Sequence, residues 1–159
     1  MLQLIPAPLH RLLYRVADRL RRRWWRIRKQ RRRSVLVAAF DDNGRVLLVR
    51  HSYGPAIWAL PGGGIGRDED PALAAAREVR EELGCELASL QEVEAREHDE
   101  DGSRDFRHVF AADLRSAPVP DMREIVAVGL FDPDALPVPR DRRVGPAVGA
   151  ALAARSQQR

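Results

Sequence analysis

Three carboxylates, Glu78, Glu81 and Glu82, follow closely on a glycine-rich stretch, Gly62-Gly63-Gly64-Ile65-Gly66. On a helix, acids at i, i+3 and i+4 gather on one side and repel one another by a few tenths of a kcal/mol per pair (~0.2–0.5). Two readings account for them. Arg77 and Arg80 beside them allow a plain solvated acidic face. Alternatively, a cation bridges the acids, and hard oxygen ligands of this kind suit Mg²⁺ or Mn²⁺ with phosphate oxygens completing the shell. The glycines lack the Lys-Ser/Thr of a Walker loop and the dinucleotide spacing. Such a turn instead suits a close approach of backbone to metal and substrate.

The element that carries the acids is predicted from local signals. Asp70 is a good N-cap, Pro71 is tolerated in a first turn, and Gly84 is placed to end the helix in the left-handed conformation. Between them, 72–83 is rich in Ala, Leu, Glu and Arg. At about 100° per residue, Ala72, Ala76, Val79 and Leu83 share an apolar stripe, with the three glutamates on a face well away from it.

The spacing separates the two readings. Gly63, Glu69, Arg77-Glu78, Glu81-Glu82 and Gly84, followed by Cys85 in an apolar position, resemble the Nudix box at every defined position. Cys85 stands where the family usually has an aliphatic residue, and buried Cys behaves as a small hydrophobe. The preceding Trp58-Ala59-Leu60-Pro61-Gly62-Gly63 is also similar to the way Nudix domains enter the box. The resemblance implies an α/β fold, a Nudix αβα sandwich on a mixed sheet. It implies Mg²⁺-dependent cleavage (Mn²⁺ as alternative) of a pyrophosphate linkage in a nucleoside diphosphate joined to another group. Carried over by position, Glu78, Glu81 and Glu82 would be metal ligands, Glu81 and Glu82 the firmer two, with the Gly62 or Gly63 carbonyl assisting. Glu78 could ligate or act as base. Glu69 and Arg77 would form a structural ion pair. The general base is expected at Glu124, with His98 and Glu100 as weaker rivals. Arg50 and His51 are candidates for phosphate contact. Tyr53, Trp58 and Phe106 are candidates for stacking on a base, with core packing the plainer role for Trp58. Arg107 and His108 remain open. The markers that resemble ADP-ribose, dinucleoside polyphosphate, NADH and coenzyme A members are missing. A catalytically weak nucleotide-binding or regulatory domain of the same family, recruited to a membrane or RNA by a basic N-terminal arm, is the alternative, and the intact acid set argues against it.

Around the box the pattern predicts strands at 34–40 and 45–49, joined by Asp41-Asp42-Asn43-Gly44, a hairpin signal. Further strands are expected at 86–97, 105–114 and 124–131, with a polar turn at 98–103. A helical turn follows at 132–137, then a final helix at 141–155 with Val148, Ala151 and Leu152 inward, and a frayed tail at 156–159.

Charge divides the chain of 159 residues. Residues 1–33 hold twelve Arg or Lys against Asp18, a net +11, which leaves −7 for the remainder within the total of +4. Leu9, Leu12, Leu13, Val16, Leu20, Trp24 and Ile27 recur at helical steps, so 1–33 is expected as a basic amphipathic helical arm before a domain at 34–155. Such an arm could pack on its own protein, lie on an anionic membrane surface or meet a protein partner, a homodimer included; nucleic acid ranks last. A single Cys excludes an internal disulfide and fits a cytoplasmic compartment, peripheral to the membrane if the arm binds lipid. No apolar run is long enough to span a bilayer, and the N-terminus lacks the order of a secretory signal.

Overall fold

The structure, a computed structural model, describes residues 32–100 and 103–157. The expected arm at 1–31 lies outside the described residues. The first strand, β1 (Arg32–Phe40), begins two residues inside the stretch expected as arm. It is followed by β2 (Val46–His51), helix α1 (Pro71–Leu83), β3 (Leu87–Glu100), β4 (Ser103–Leu114), β5 (Ile125–Phe131), a short 3₁₀ turn (Pro133–Ala135) and helix α2 (Val144–Ser156). The third strand runs to Glu100 and the fourth starts at Ser103, so His98 lies within a strand and not in the polar turn expected at 98–103. The last helix starts at Val144, because Asp141 accepts from the Arg143 backbone in the turn ahead of it.

The five strands form one mixed sheet in the order β3-β4-β1-β2-β5, parallel only between β1 and β4. Side chains alternate across β1, so both faces are apolar. Val35, Val37 and Ala39 meet Ala74, Ala75, Val79 and Leu83 of α1. Ala38 and Phe40 meet Val144, Ala147, Val148 and Ala151 of α2. A central strand buried on both faces needs such a continuous apolar run. The result is the expected αβα sandwich. Among the described residues no helix is long and apolar enough to cross a membrane.

The helix α1 keeps the predicted caps. The Asp70 carboxylate accepts from the Ala72 and Leu73 amides, and Gly84 takes the left-handed conformation with φ 60°. Its inner face differs from the expected stripe. Ala74, Ala75, Val79, Glu82 and Leu83 are buried, Ala72 and Ala76 only partly. The helix is rotated so that Ala74 and Ala75 face the sheet, and the 116–124 loop closes on its end, with Val119 N–H donating to Leu83 O at 2.8 Å and Asp121 N–H to Glu82 O at 3.2 Å. Likewise Ala147 takes the inward place expected of Leu152, which is exposed.

The expected hairpin forms only at its turn. β1 and β2 pair directly at Phe40 and Val46, and Asp41 accepts from the Asn43 and Arg45 amides to close the turn. Beyond that the strands splay and the segment 58–65 enters between them. Val37 N–H donates to Pro61 O at 3.0 Å and Val35 N–H to Gly63 O at 2.9 Å, while Val49 and Ala59 exchange two bonds of 2.9 Å on the other side. Gly62 has φ +147°, and a Cβ there would sit 2.2 Å from the Val35 carbonyl oxygen. Replacing Gly62 by Ala should therefore cost at least ~2 kcal/mol, because backbone must move. Gly44→Ala, with φ +76° and open space around it, should cost only ~1–2 kcal/mol. Denaturant unfolding of the two variants checks the order.

Candidate active site

One guanidinium ties the box helix to the glycine turn. Arg77 Nε and Nη2 donate to Glu69 Oε1 and Oε2 at 2.7 and 3.0 Å, a bidentate pair. The same Nη2 donates to Gly64 O at 3.1 Å, and Nη1 donates to Glu78 Oε1 at 2.9 Å and Glu81 Oε2 at 3.2 Å. Glu69 in turn accepts from Gly66 N–H at 2.7 Å. Arg77 first, then that amide, hold the Glu69 carboxyl down to about 2. Glu69 pushes Arg77 further up in return.

The remaining acids lie inside. Gly63 has no room for a Cβ, which would fall 2.5 Å from the Glu78 carboxylate. Glu82 is 5 % exposed, with Gly62 N–H directed at its Oε2 at 3.4 Å. Burial is the main cause that raises both carboxyls, Glu82 well above the usual range; the charges of Glu124 and Glu78 add to it at Glu82, while Arg77 opposes it at Glu78.

Glu124 reaches this group from the residue before β5. Its approach is set by Asp121, whose Oδ1 accepts from the Arg123, Glu124 and Ile125 amides at 3.0, 3.0 and 2.8 Å, and by Ser52 N–H, which donates to Glu124 O at 2.8 Å. The Tyr53 hydroxyl donates to Glu124 Oε1 at 2.5 Å. His51, at the end of β2 where the ladder to β5 shifts register, completes the set. One ligand atom each from His51, Glu82 and Glu124 lies within 4.8 Å of the others. Two hard carboxylates and an imidazole, converging where buried negative charges already strain one another, fit a divalent cation.

These residues line a cleft of about 920 Å³ between the ends of β1 and β2, the glycine turn and the start of α2. Gly62, Gly63, Glu78, Glu82, Glu124, His51 and Tyr53 are on its wall. Glu81 is exposed and tied to Arg77, and the structure does not bring it to the converging set. Arg50 and Trp58 are occupied elsewhere: the Arg50 guanidinium lies 5.2 Å over the Trp58 ring and donates to Ala56 O, and that ring meets Phe131 edge-on at 4.9 Å. Trp58 thus packs in the core, and its backbone holds the 139–141 loop through Trp58 N–H to Pro139 O at 3.0 Å and Asp141 N–H to Trp58 O at 2.7 Å. His98 pairs with Glu94 beside a smaller cavity, Phe106 is half exposed against His108, and His108 pairs with Glu92. Arg107 is buried against Asp105. Sequence reasoning missed Arg33, Arg67, Ser34, Asp105, Asp141 and Arg143 on the cleft wall. Their only sequence signal was position near strand and helix starts, and many charged residues share that.

The NUDIX domain family matches residues 30–149, and the chain belongs to that family. It is 44 % identical over 62 residues to an ADP-ribose pyrophosphatase of Mycobacterium tuberculosis, covering 36 % of this chain and 30 % of that one. It is 40 % identical over 67 residues to an RNA pyrophosphohydrolase of Gluconacetobacter diazotrophicus, covering 37 % and 40 %. The match thus spans well under half of either relative's length. Among solved structures, a MutT NUDIX hydrolase from Burkholderia pseudomallei superposes with a TM-score of 0.69 at 28 % identity, over 76 % of this chain and 98 % of that one.

The Glu69–Arg77 pair has a definite pH signature. The folded Glu69 carboxyl titrates at about 2, below its ordinary 4.5. Its contribution to stability is therefore full above about pH 4.5 and is lost as pH falls toward 2. The Tm difference between wild type and Glu69→Gln should be constant at neutral pH and close over that window. A gap that stays constant down to pH 2 would contradict the ion pair.

Proposed function

We propose that the chain hydrolyses a pyrophosphate linkage in a nucleoside diphosphate joined to a further group, with Mg²⁺ or Mn²⁺. The observation that carries this is the convergence of His51, Glu82 and Glu124 beside the glycine turn. The pyrophosphatase and pyrophosphohydrolase names of the two relatives support the bond type and leave the second group open.

His51, Glu82 and Glu124 would hold the cation, which supplies Lewis-acid polarisation of a phosphoryl oxygen and a more acidic bound water. In the reaction the water oxygen bonds to phosphorus, the bridging P–O bond breaks, and two phosphate products leave. Glu78 takes the water's proton. Burial raises its basicity, and Arg77 holds Oε1, which leaves Oε2 as the acceptor. This moves the base from Glu124, whose Oε1 is held by the Tyr53 hydroxyl, to Glu78. Arg33 and Arg67 on the cleft wall offset the charge of the phosphate chain. Gly62 and Gly63 let that chain approach the backbone, since neither has a side chain in the way.

A panel of nucleotide sugars, ADP-ribose, dinucleoside polyphosphates and nucleoside triphosphates with Mg²⁺ tests the reading. Turnover should fall ~10²–10⁴-fold in Glu82→Gln and Glu78→Gln. The loss should be under about tenfold in Glu81→Gln, since an exposed ion pair is worth at most ~1 kcal/mol. EDTA should abolish it. A larger loss in Glu81→Gln than in Glu82→Gln would move the cation to the outer face of α1. Binding of panel members without turnover of any would replace hydrolysis by a binding role.

A further inference from the structure

The cleft contains a second polar group that the proposed hydrolysis does not use. Asp105, near the start of β4, is 3 % exposed and yet lines the cleft. Its Oδ2 accepts two hydrogen bonds, from the Ser34 hydroxyl at 2.8 Å and from Arg107 Nη2 at 2.8 Å. Its Oδ1 is buried, and among the described residues nothing donates to it. A buried carboxylate oxygen without a donor is costly, and native folds satisfy such an oxygen with a protein group, an ordered water or a ligand. Here the carboxylate is clamped on one side and unmet on the other, in the wall of a cavity.

The chemistry of the missing partner is restricted. Arg107 already balances the charge of Asp105 and would repel a metal ion. The carboxylate itself would repel a phosphate. What remains is a neutral N–H or O–H donor, an ordered water or the ligand group that displaces it. The position is set by the glycine turn. Gly62 N–H points at Glu82, while Gly64 forms a bridge to Ser34, the residue that holds Asp105. Two extended residues span ~7 Å, so the Asp105 end lies one short step from the acids, where the next moiety along from the phosphates would fall.

We propose that Asp105 Oδ1 is a specificity-determining acceptor for a neutral donor on the nucleoside part of the substrate. That donor is the exocyclic amino group of a base or a ribose hydroxyl. The proposal rests on the nucleotide-derivative reading above. A fixed acceptor discriminates strongly, because a ligand that presents a carbonyl in place of the donor leaves two acceptors facing each other. Cytosine and adenine place an amino group where uracil and hypoxanthine place a carbonyl oxygen. Asp105→Asn can keep the Ser34 and Arg107 bonds through its carbonyl and then presents an NH₂, which reverses the preference.

Calorimetric binding of nucleoside monophosphates to the full chain tests this without needing turnover. Wild type should bind CMP and AMP about tenfold tighter than UMP and IMP if the donor is the amino group, or CMP about tenfold tighter than dCMP if it is the hydroxyl, as one hydrogen bond to a charged group allows. Asp105→Asn should abolish or invert whichever preference is found. Because Asp105 is buried, Ser34→Ala is measured beside it; loss of one clamp should weaken the same preference with Tm little changed. All pairs bound within twofold by wild type, or the preference kept in folded Asp105→Asn or Ser34→Ala, would overturn the proposal. Discrimination without hydrolysis of any panel member would sink the hydrolase reading and leave the Asp105 assignment standing; hydrolysis without discrimination would do the reverse.

Discussion

The cleft is built around Gly62, where any Cβ would fall 2.2 Å from the Val35 carbonyl oxygen. Two strands joined by a tight turn would ordinarily pair along their length. Here they pair at one register position and then part, and the 58–65 segment takes up the released donors of β1 and β2. No side chain fits at Gly62, and none fits at Gly63 over Glu78. The wedge therefore places bare backbone between the sheet and the carboxylates of α1, which is the surface a phosphate chain needs.

Charge is held in this arrangement by burial on one side and by Arg77 on the other. Arg77 joins Glu69, Gly64, Glu78 and Glu81, so the turn and helix move as one piece. Inside that clamp, burial first and the neighbouring carboxylates second, Glu124 among them, raise the Glu78 and Glu82 carboxyls. Such strain among acids is characteristic of functional sites. A bound cation relieves it, and a raised carboxyl is a better proton acceptor. Asp121 extends the same logic to the far side: it closes three successive amides, and so aims Glu124 without entering the cleft.

Much of this was readable locally. The Asp70 cap, the Gly84 terminus and the i, i+3, i+4 acids are one-dimensional signals, and so are the alternating apolar runs of the strands. The partition among the three box glutamates was not. Helical spacing puts Glu78, Glu81 and Glu82 on one side, but only the way α1 packs, with Glu82 on the buried face of Ala75 and Val79 and under the glycine turn, decides that Glu82 is buried and Glu81 stays in water. Trp58 takes the core role that was its plainer reading, and Arg50 lies over its ring away from the acids; proximity in sequence to the glycine turn says nothing of Phe131, against which that ring packs.

By itself the sequence determined the box with the layer order its family resemblance implies, the box helix and its caps, and the division into a basic stretch and an acidic domain. These depend on residue type and on spacing within a few turns of chain. The tertiary structure alone decided which acids converge, that His51 and Tyr53 join Glu124, and that Ser34 and Asp105 form a second polar wall. Those groups lie far apart along the chain, Ser34 and Asp105 by 71 residues. Their meeting follows from the parallel pairing of β1 with β4 and the antiparallel pairing of β2 with β5, a property of strand order that no local pattern encodes.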